Sequence, residues 1–227
     1  MKVGAITVGQ SPRIDVTPDI MPIFGNKVEL IEIGALDGLS YEEIAKFEPE
    51  EGDYVLVSRM SDGGSVTFAE KHILPRLQEC IYKLEEEGVS LIIFFCTGTF
   101  PVEFHSKVPL IFPNMVLSNI VPLLTRKRSI SVLIPSELQI DQAKERWIKL
   151  VEEVSVFAAS PYGKLEDVRL VAEKLAEADS DLVVLDCIGY TQEMKDIVFK
   201  LTRKPVVLPR ILAARIITEM ADVNSSS

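Results

Sequence analysis

The chain has 227 residues, 26 % of them charged, with a formal net charge of −10 and a sequence pI near 4.8. That acidic balance, without clustered Lys and Arg, argues against a nucleic-acid partner, and 47 % hydrophobic residues with a mean hydropathy of +0.21 exclude general disorder. No apolar stretch reaches membrane-span length, no leader pattern opens the chain, and three cysteines without tight pairing suit a reducing compartment, so a cytoplasmic protein without membrane contact is expected.

Short apolar runs rich in Val and Ile predict strands at 3–8, 28–34, 53–58, 90–95, 109–112, 130–134, 154–157, 181–186 and 205–208. Behind the first, Gly9-Gln10-Ser11-Pro12-Arg13 offers an amide, a hydroxyl and a guanidinium near one sheet edge, or simply a turn that starts a helix. Behind the third, the segment from Ser58 to Ser65 reads as a mobile turn, an anion-binding concavity or a loop over a cleft. Ile73, Leu74, Leu77, Cys80, Ile81 and Leu84 recur at helical spacing, which predicts a helix over 67–87 that stops at Gly88 and buries Cys80. Residues 165–178 repeat the pattern, further helices are expected at 115–125 and 210–221, and Asn224 to Ser227 reads as a disordered tail. Apolar strands alternating with amphipathic helices imply an α/β fold, with parallel sheets covered on both faces.

The chain also matches itself. A shift of 91 positions lays Lys83 on Lys174, Leu84 on Leu175, Leu91 on Leu182, Cys96 on Cys187 and Gly98 on Gly189. Beyond the cysteines the shift becomes 96, which lays Pro109 on Pro205 and Pro113 on Pro209. Two similar Rossmann-like α/β lobes related by a pseudo-twofold are therefore expected. The first would hold residues 1–114 and 208–227, the second 115–207, with helix 115–125 leading into the second lobe and helix 210–221 returning to the first.

Ligands of open parallel sheets bind beyond the carboxyl ends of the strands, and both matched cysteines fall there, each before an expected helix. A thiol at a helix amino terminus has its thiolate favoured, and the glycine two residues on lets amides approach an anion. Cys96 and Cys187 are thus the candidate acid-base pair on either face of a small carboxylate. Each could instead be a small buried hydrophobe. Arg13 and Arg59 are the candidates for bidentate carboxylate recognition, beside Gly9, Gln10 and Ser11. Only two histidines, His72 and His105, are present, no Cys or His pair has metal spacing, and no phosphate-loop or Gly-x-Gly-x-x-Gly pattern follows a strand. Neither a metal nor a cofactor is expected, and His105, which flanks the same loop as Cys96, reads as a solvated loop histidine or as a partner of that thiol.

Thr7-Val8-Gly9-Gln10-Ser11-Pro12-Arg13, the segment from Ser58 to Ser65 and Val184-Leu185-Asp186-Cys187-Ile188-Gly189-Tyr190 resemble the AroM family along the whole chain. The family name points to genes of aromatic amino-acid metabolism and implies no reaction by itself. More distantly, the two-cysteine layout is similar to the cofactor-independent aspartate, glutamate and hydantoin racemase superfamily, whose lobes each place one cysteine at a central cleft. That resemblance implies a substrate site at Cys96-Thr97-Gly98-Thr99 and at Cys187-Ile188-Gly189-Tyr190. The sequence departs from the amino-acid racemases, with Thr97-Gly98 after the first cysteine and Ile188 after the second. Two readings stay open: a racemase, isomerase or decarboxylase using the two thiols, and a non-catalytic or regulatory protein binding a small carboxylate. A monomer or a symmetric homodimer is the expectation from base rates.

Overall fold

The computed structural model describes residues 1–221, so the expected tail at Asn224 to Ser227 lies outside the described residues. The elements in chain order begin with β1 (Lys2–Thr7), α1 (Thr17–Phe24), β2 (Glu29–Gly34), α2 (Tyr41–Ile44), β3 (Val55–Arg59) and β4 (Ser65–Ala69). They continue with α3 (Leu74–Glu86), β5 (Leu91–Phe95), β6 (Leu110–Ile111), α4 (Pro113–Leu124), β7 (Ser129–Ile134) and α5 (Ile140–Trp147). The rest are β8 (Glu153–Ala158), α6 (Leu165–Glu177), β9 (Leu182–Leu185), α7 (Gln192–Thr202), β10 (Val206–Val207) and α8 (Pro209–Ala221).

Two four-stranded parallel sheets share one topology. The first runs β2-β1-β5-β6, with Ala5 between Glu32 and Ile93, and the second runs β8-β7-β9-β10, with Val132 between Val156 and Val184. β5 and β9 are buried along their whole length, which is why they read as unbroken apolar runs. Successive residues of a strand face opposite ways. Val3 and Ala5 accordingly meet α1 and α8 through Val16, Ile20, Phe24, Ala213, Ala214 and Ile217. Ile6 faces the other layer, where Leu77, Ile81 and Leu84 of α3 cover it.

The second sheet repeats the plan, with α6 and α7 on one face and α4 and α5 on the other. Helix α4 leaves the first sheet yet buries Leu117 and Val121 against Ile130 and Val132 of the second. Helix α8 leaves the second sheet and packs on the first. Each lobe therefore completes its core with a helix from the other half of the chain. The sequence repeat and the fold coincide: α3 and α6 are both 13 residues long, and the 91-position shift lays one on the other end to end.

Three departures from the expected elements shape the cleft. The helix expected over 67–87 begins only at Leu74. Val66-Thr67-Phe68 favours extended backbone, Pro75 fixes the first helical turn, and 65–69 becomes β4, antiparallel to β3. The segment from Ser58 to Ser65 is thus the end of a β-hairpin, and strand β3 joins neither parallel sheet. This hairpin is an addition to the first lobe, filling the connection between β2 and α3 that the second lobe makes with the short loop after β8. Finally, no helix follows Cys96: residues 96–109 are irregular where the second lobe has α7.

Aromatic packing holds that irregular segment down. Phe94 is fully buried, and its ring centroid lies 5.6, 5.4 and 4.5 Å from those of Phe100, Phe104 and Phe112. Truncation opens a cavity that neighbours fill only in part, so Phe94→Ala is expected to cost about 3–5 kcal/mol in urea unfolding. The same substitution at Phe199, which is 48 % exposed, should stay within about 1 kcal/mol.

Candidate active site

The two cysteines lie on the wall of one buried cleft between the lobes, with Arg13, Thr97, Gly98 and Ile188. The matched motif makes the same local turn in both places. The Gly98 N–H donates to Cys96 Sγ at 3.2 Å, and the Gly189 N–H donates to Cys187 Sγ at 3.3 Å. Neither glycine adopts a positive φ; both are needed for room. A Cβ on Gly98 would lie 2.7 Å from the Leu56 side chain, and one on Gly189 would lie 2.6 Å from the Tyr162 hydroxyl. In each lobe a residue from the connection after the second strand, Leu56 or Tyr162, overhangs the cysteine turn.

The expected low thiol pKa values are corrected by the structure. Cys96 has no helix after it, and α7 begins at Gln192, five positions beyond Cys187. Burial dominates instead and pushes Cys96 up to about 12, with the Gly98 N–H and Arg13 opposing it. Burial raises Cys187 as well, and the opposing influences there are the Gly189 N–H, Arg13 and a hydrogen bond from the Tyr162 hydroxyl. Cys80 is packed on the apolar face of α3, and its burial pushes it to about 11.

The remaining anticipated residues divide between the cleft and its scaffold. Arg13 is buried at the cleft, but its fork is filled: Nε and Nη2 donate to the two Asp15 carboxylate oxygens at 2.8 and 2.7 Å. Its Nη1 donates to Thr7 Oγ1 at 3.0 Å and its Nη2 also to the Tyr162 hydroxyl at 3.2 Å. Burial disfavours the Arg13 charge, but Tyr162, the hydrogen-bonded Asp15 carboxylate and Cys187 outweigh it and hold the guanidinium above its ordinary range. Free bidentate capture of a ligand by Arg13 is therefore replaced by a standing pair with Asp15.

Arg59 lies over Gly63 and does not line the cleft. Gly9 lets the hairpin backbone approach, since a Cβ there would meet the Arg59 carbonyl at 2.3 Å. Gln10 ties Leu36 and Leu39 carbonyls to Ser61, and Ser11 bonds Asp37 through both its N–H and its hydroxyl. Tyr190 is fully buried, its hydroxyl donating to the Ala159 carbonyl at 2.7 Å, and Thr99 is exposed, its N–H donating to the Tyr54 hydroxyl. His105 exchanges two hydrogen bonds with Gln78 and does not line the cleft with Cys96.

Other residues complete the site without a sequence signal. Asp186 accepts from Arg146 and from Trp147 Nε1 at 2.9 Å, while its carbonyl accepts from Thr97 Oγ1 at 3.0 Å. Arg146 also donates to the Thr97 carbonyl at 2.8 Å. Gln139 and Gln142 of the second lobe donate to the Val55 carbonyl and clamp the hairpin over the opening. Arg146 and the two glutamines sit in or beside a helix whose charged and polar face looks solvent-exposed in sequence. Only an unpaired carboxylate ahead of a cysteine could have hinted at them.

The enclosed space is small, ≈ 40 Å³, comparable to one or two water molecules. Four buried polar atoms of its lining residues have no hydrogen-bond partner among the described residues: Ser58 Oγ, Gln139 Oε1, Arg146 Nε and Asp186 Oδ1. Among the described residues no group of three or more His, Cys, Asp or Glu side chains is placed to hold a metal ion, and no helix is long and apolar enough to cross a membrane.

The thiols set a measurable pH dependence. In the unfolded chain Cys96 ionises near 9.0 and in the folded chain near 12. The unfolded state binds fewer protons across that window, so stability falls as pH rises through it. Urea midpoints measured across the window should decline less steeply for Cys96→Ala than for the wild type. At neutral pH, mass spectrometry should find Cys96 and Cys187 unmodified by iodoacetamide over a time that fully labels the urea-unfolded chain.

The fold recurs in solved structures. Maleate isomerase Iso from Pseudomonas putida S16 is similar at a TM-score of 0.64 and 13% identity, covering 98% of this chain and 93% of its own. Aspartate racemase from Picrophilus torridus gives 0.63 and 14%, covering 97% and 94%. Glutamate racemase from Aquifex pyrophilus gives 0.60 and 15%, covering 97% and 84%. At such identities the likeness concerns the racemase-like two-lobed fold. No curated protein sequence matches the chain significantly. A family model described as AroM protein matches residues 3–221, every described residue but the first two, and the chain belongs to the AroM family.

Proposed function

We propose that the protein is a cofactor-independent enzyme that moves a proton at the carbon beside a small carboxylate, as a racemase, isomerase or decarboxylase does. The observation that carries this reading is the paired Cys-x-Gly turn: two sulfurs on one cleft wall, each held by a glycine N–H. The fold likeness to structures described as racemases and an isomerase supports it. Racemisation or isomerisation by proton transfer needs one ionised thiol to take a proton and one protonated thiol to return it, whereas decarboxylation breaks the bond to the departing CO2 and needs only the protonated thiol to deliver a proton to the carbon left behind. Cys187 is the better base, because Arg13 and the Tyr162 hydroxyl favour its thiolate. Cys96, pushed up to about 12, stays protonated and so carries the proton that is returned. The unpartnered Arg146 Nε and Ser58 Oγ are donors available to the carboxylate or to the enolate charge that builds during proton removal.

A second reading is a non-catalytic sensor of a small carboxylate. The small enclosed space and the burial of both thiols favour it. Incubating the protein with small carboxylates in D2O and following the α-hydrogen by NMR separates the two. Exchange should occur in the wild type and fall at least about 100-fold in both Cys96→Ala and Cys187→Ala, with near-native unfolding midpoints. Saturable thermal stabilisation without exchange would establish the sensor, and exchange retained in both variants would remove the thiols from the mechanism.

A further inference from the structure

Outside the two-thiol cleft lies a second pocket of ≈ 290 Å³, and Tyr54, Gln142 and Arg146 belong to the walls of both. Glu70 lines the outer pocket only. It follows β4 in a short 3-10 turn, is 4 % exposed, and its Oε1 has no hydrogen-bond partner. Among the described residues no ion pair compensates it. A buried carboxyl oxygen without a donor is costly, and burial alone pushes the Glu70 carboxyl up to about 7. Of the two cationic side chains that line this pocket, Lys149 is exposed and Arg146 is engaged by Asp186. Glu70 therefore stands as an acceptor without a donor in a space large enough for part of a ligand.

The inner space of ≈ 40 Å³ cannot hold a whole metabolite, whereas ligand pockets run from about 300 Å³ upward. Inner and outer spaces together reach that size. Of the seven buried polar atoms without a partner among the described residues, Ser58 Oγ, Gln139 Oε1 and Asp186 Oδ1 belong to residues lining the inner space, Arg146 Nε to a residue lining both and Glu70 Oε1 to one lining the outer space, while Asn114 Oδ1 and Arg210 Nη2 belong to neither.

We infer that the two spaces form one bipartite site, in which the inner cleft takes the carboxylate end of the ligand and Glu70 accepts a hydrogen bond from a hydroxyl or amine at its far end. The inference builds on the proton-transfer reading and names its substrate class: a carboxylate with a donor-bearing tail. Tyr54 and Arg146 form the partition past which the tail runs, and each keeps a tie to the loop after Cys96, Tyr54 to the Thr99 N–H and Arg146 to the Thr97 carbonyl.

The test uses thermal stabilisation by a homologous series, 3-hydroxypropanoate to 6-hydroxyhexanoate and the matching ω-amino acids, each against the unsubstituted alkanoate of the same length. One length should bind the wild type at least about tenfold more tightly than its parent alkanoate, about 1.4 kcal/mol, and whether the hydroxyl or the amine gives the larger ratio identifies the donor. Glu70→Ala should bring that ratio to near unity, and so should Glu70→Leu, which fills the space and guards against a misfolded variant. A ratio near unity in the wild type at every length, no stabilisation by any acid, or a ratio that survives both substitutions overturns the bipartite site. The α-hydrogen exchange of the same acids is read separately. A tail-dependent ratio without exchange would keep the bipartite site and reject proton transfer, and exchange without a ratio would do the reverse.

Discussion

One buried carboxylate sets the distance between the two halves of the cleft. Asp186, the residue before Cys187, is held by Arg146 and Trp147 from α5, its N–H donates to Leu133 at the end of β7, and its carbonyl takes the Thr97 hydroxyl from the opposite lobe. Three separate stretches of chain therefore meet the one that carries Asp186. A buried ion pair adds little net stability, but losing one partner strands a charge and costs about 3–5 kcal/mol, so the geometry is specified more strongly than it is stabilised. The placement of one sulfur relative to the other follows from this knot, because Thr97 and Asp186 are the immediate neighbours of Cys96 and Cys187.

A second polar knot fixes the other side. Arg210 of α8 is 1 % exposed, donates to the Ile188 carbonyl inside the Cys187 turn, and pairs with Asp19 of α1 at 2.9 Å. Asp19 also accepts the Gln192 N–H at the start of α7. Its neighbour in space, Asp15, holds Arg13, and burial of that carboxyl is outweighed by the Arg13 fork, which keeps it below its ordinary range. The helix that returns to the first sheet thus also steadies the second cysteine.

Much of the architecture was legible in the sequence because duplication and hydrophobic periodicity are local or translational signals. Leu91 with Leu182, Cys96 with Cys187 and Pro113 with Pro209 locate strand, turn and helix start in both lobes. What the sequence hid depends on partners brought from afar. The Val66-Thr67-Phe68 strand was absorbed into a helical pattern that begins seven positions too early, since alternation over so few residues cannot be told from the flank of a helix. Arg146, Tyr162 and Tyr54 gave no sign because each acts on a residue from a distant stretch. The thiols were read as activated from their neighbours in sequence, yet their ionisation is governed by the depth at which the lobes close over them. Arg13 carried the right chemistry, but Asp15 two residues on had already claimed it.

The crossing of α4 and α8 between sheets bears on how the protein comes into being. Ala213, Ala214 and Ile217 fill the face of β1 and β5, strands made near the beginning of translation. Until α8 docks, only α1 covers the face that carries Val3, Ala5, Ile93 and Phe95, and a nascent chain arrested after β10 leaves the rest of that face open to chaperones or to a second nascent copy. The core of the first lobe is thus complete only once residues 209–221 have packed on it, behind the whole of the second lobe in chain order.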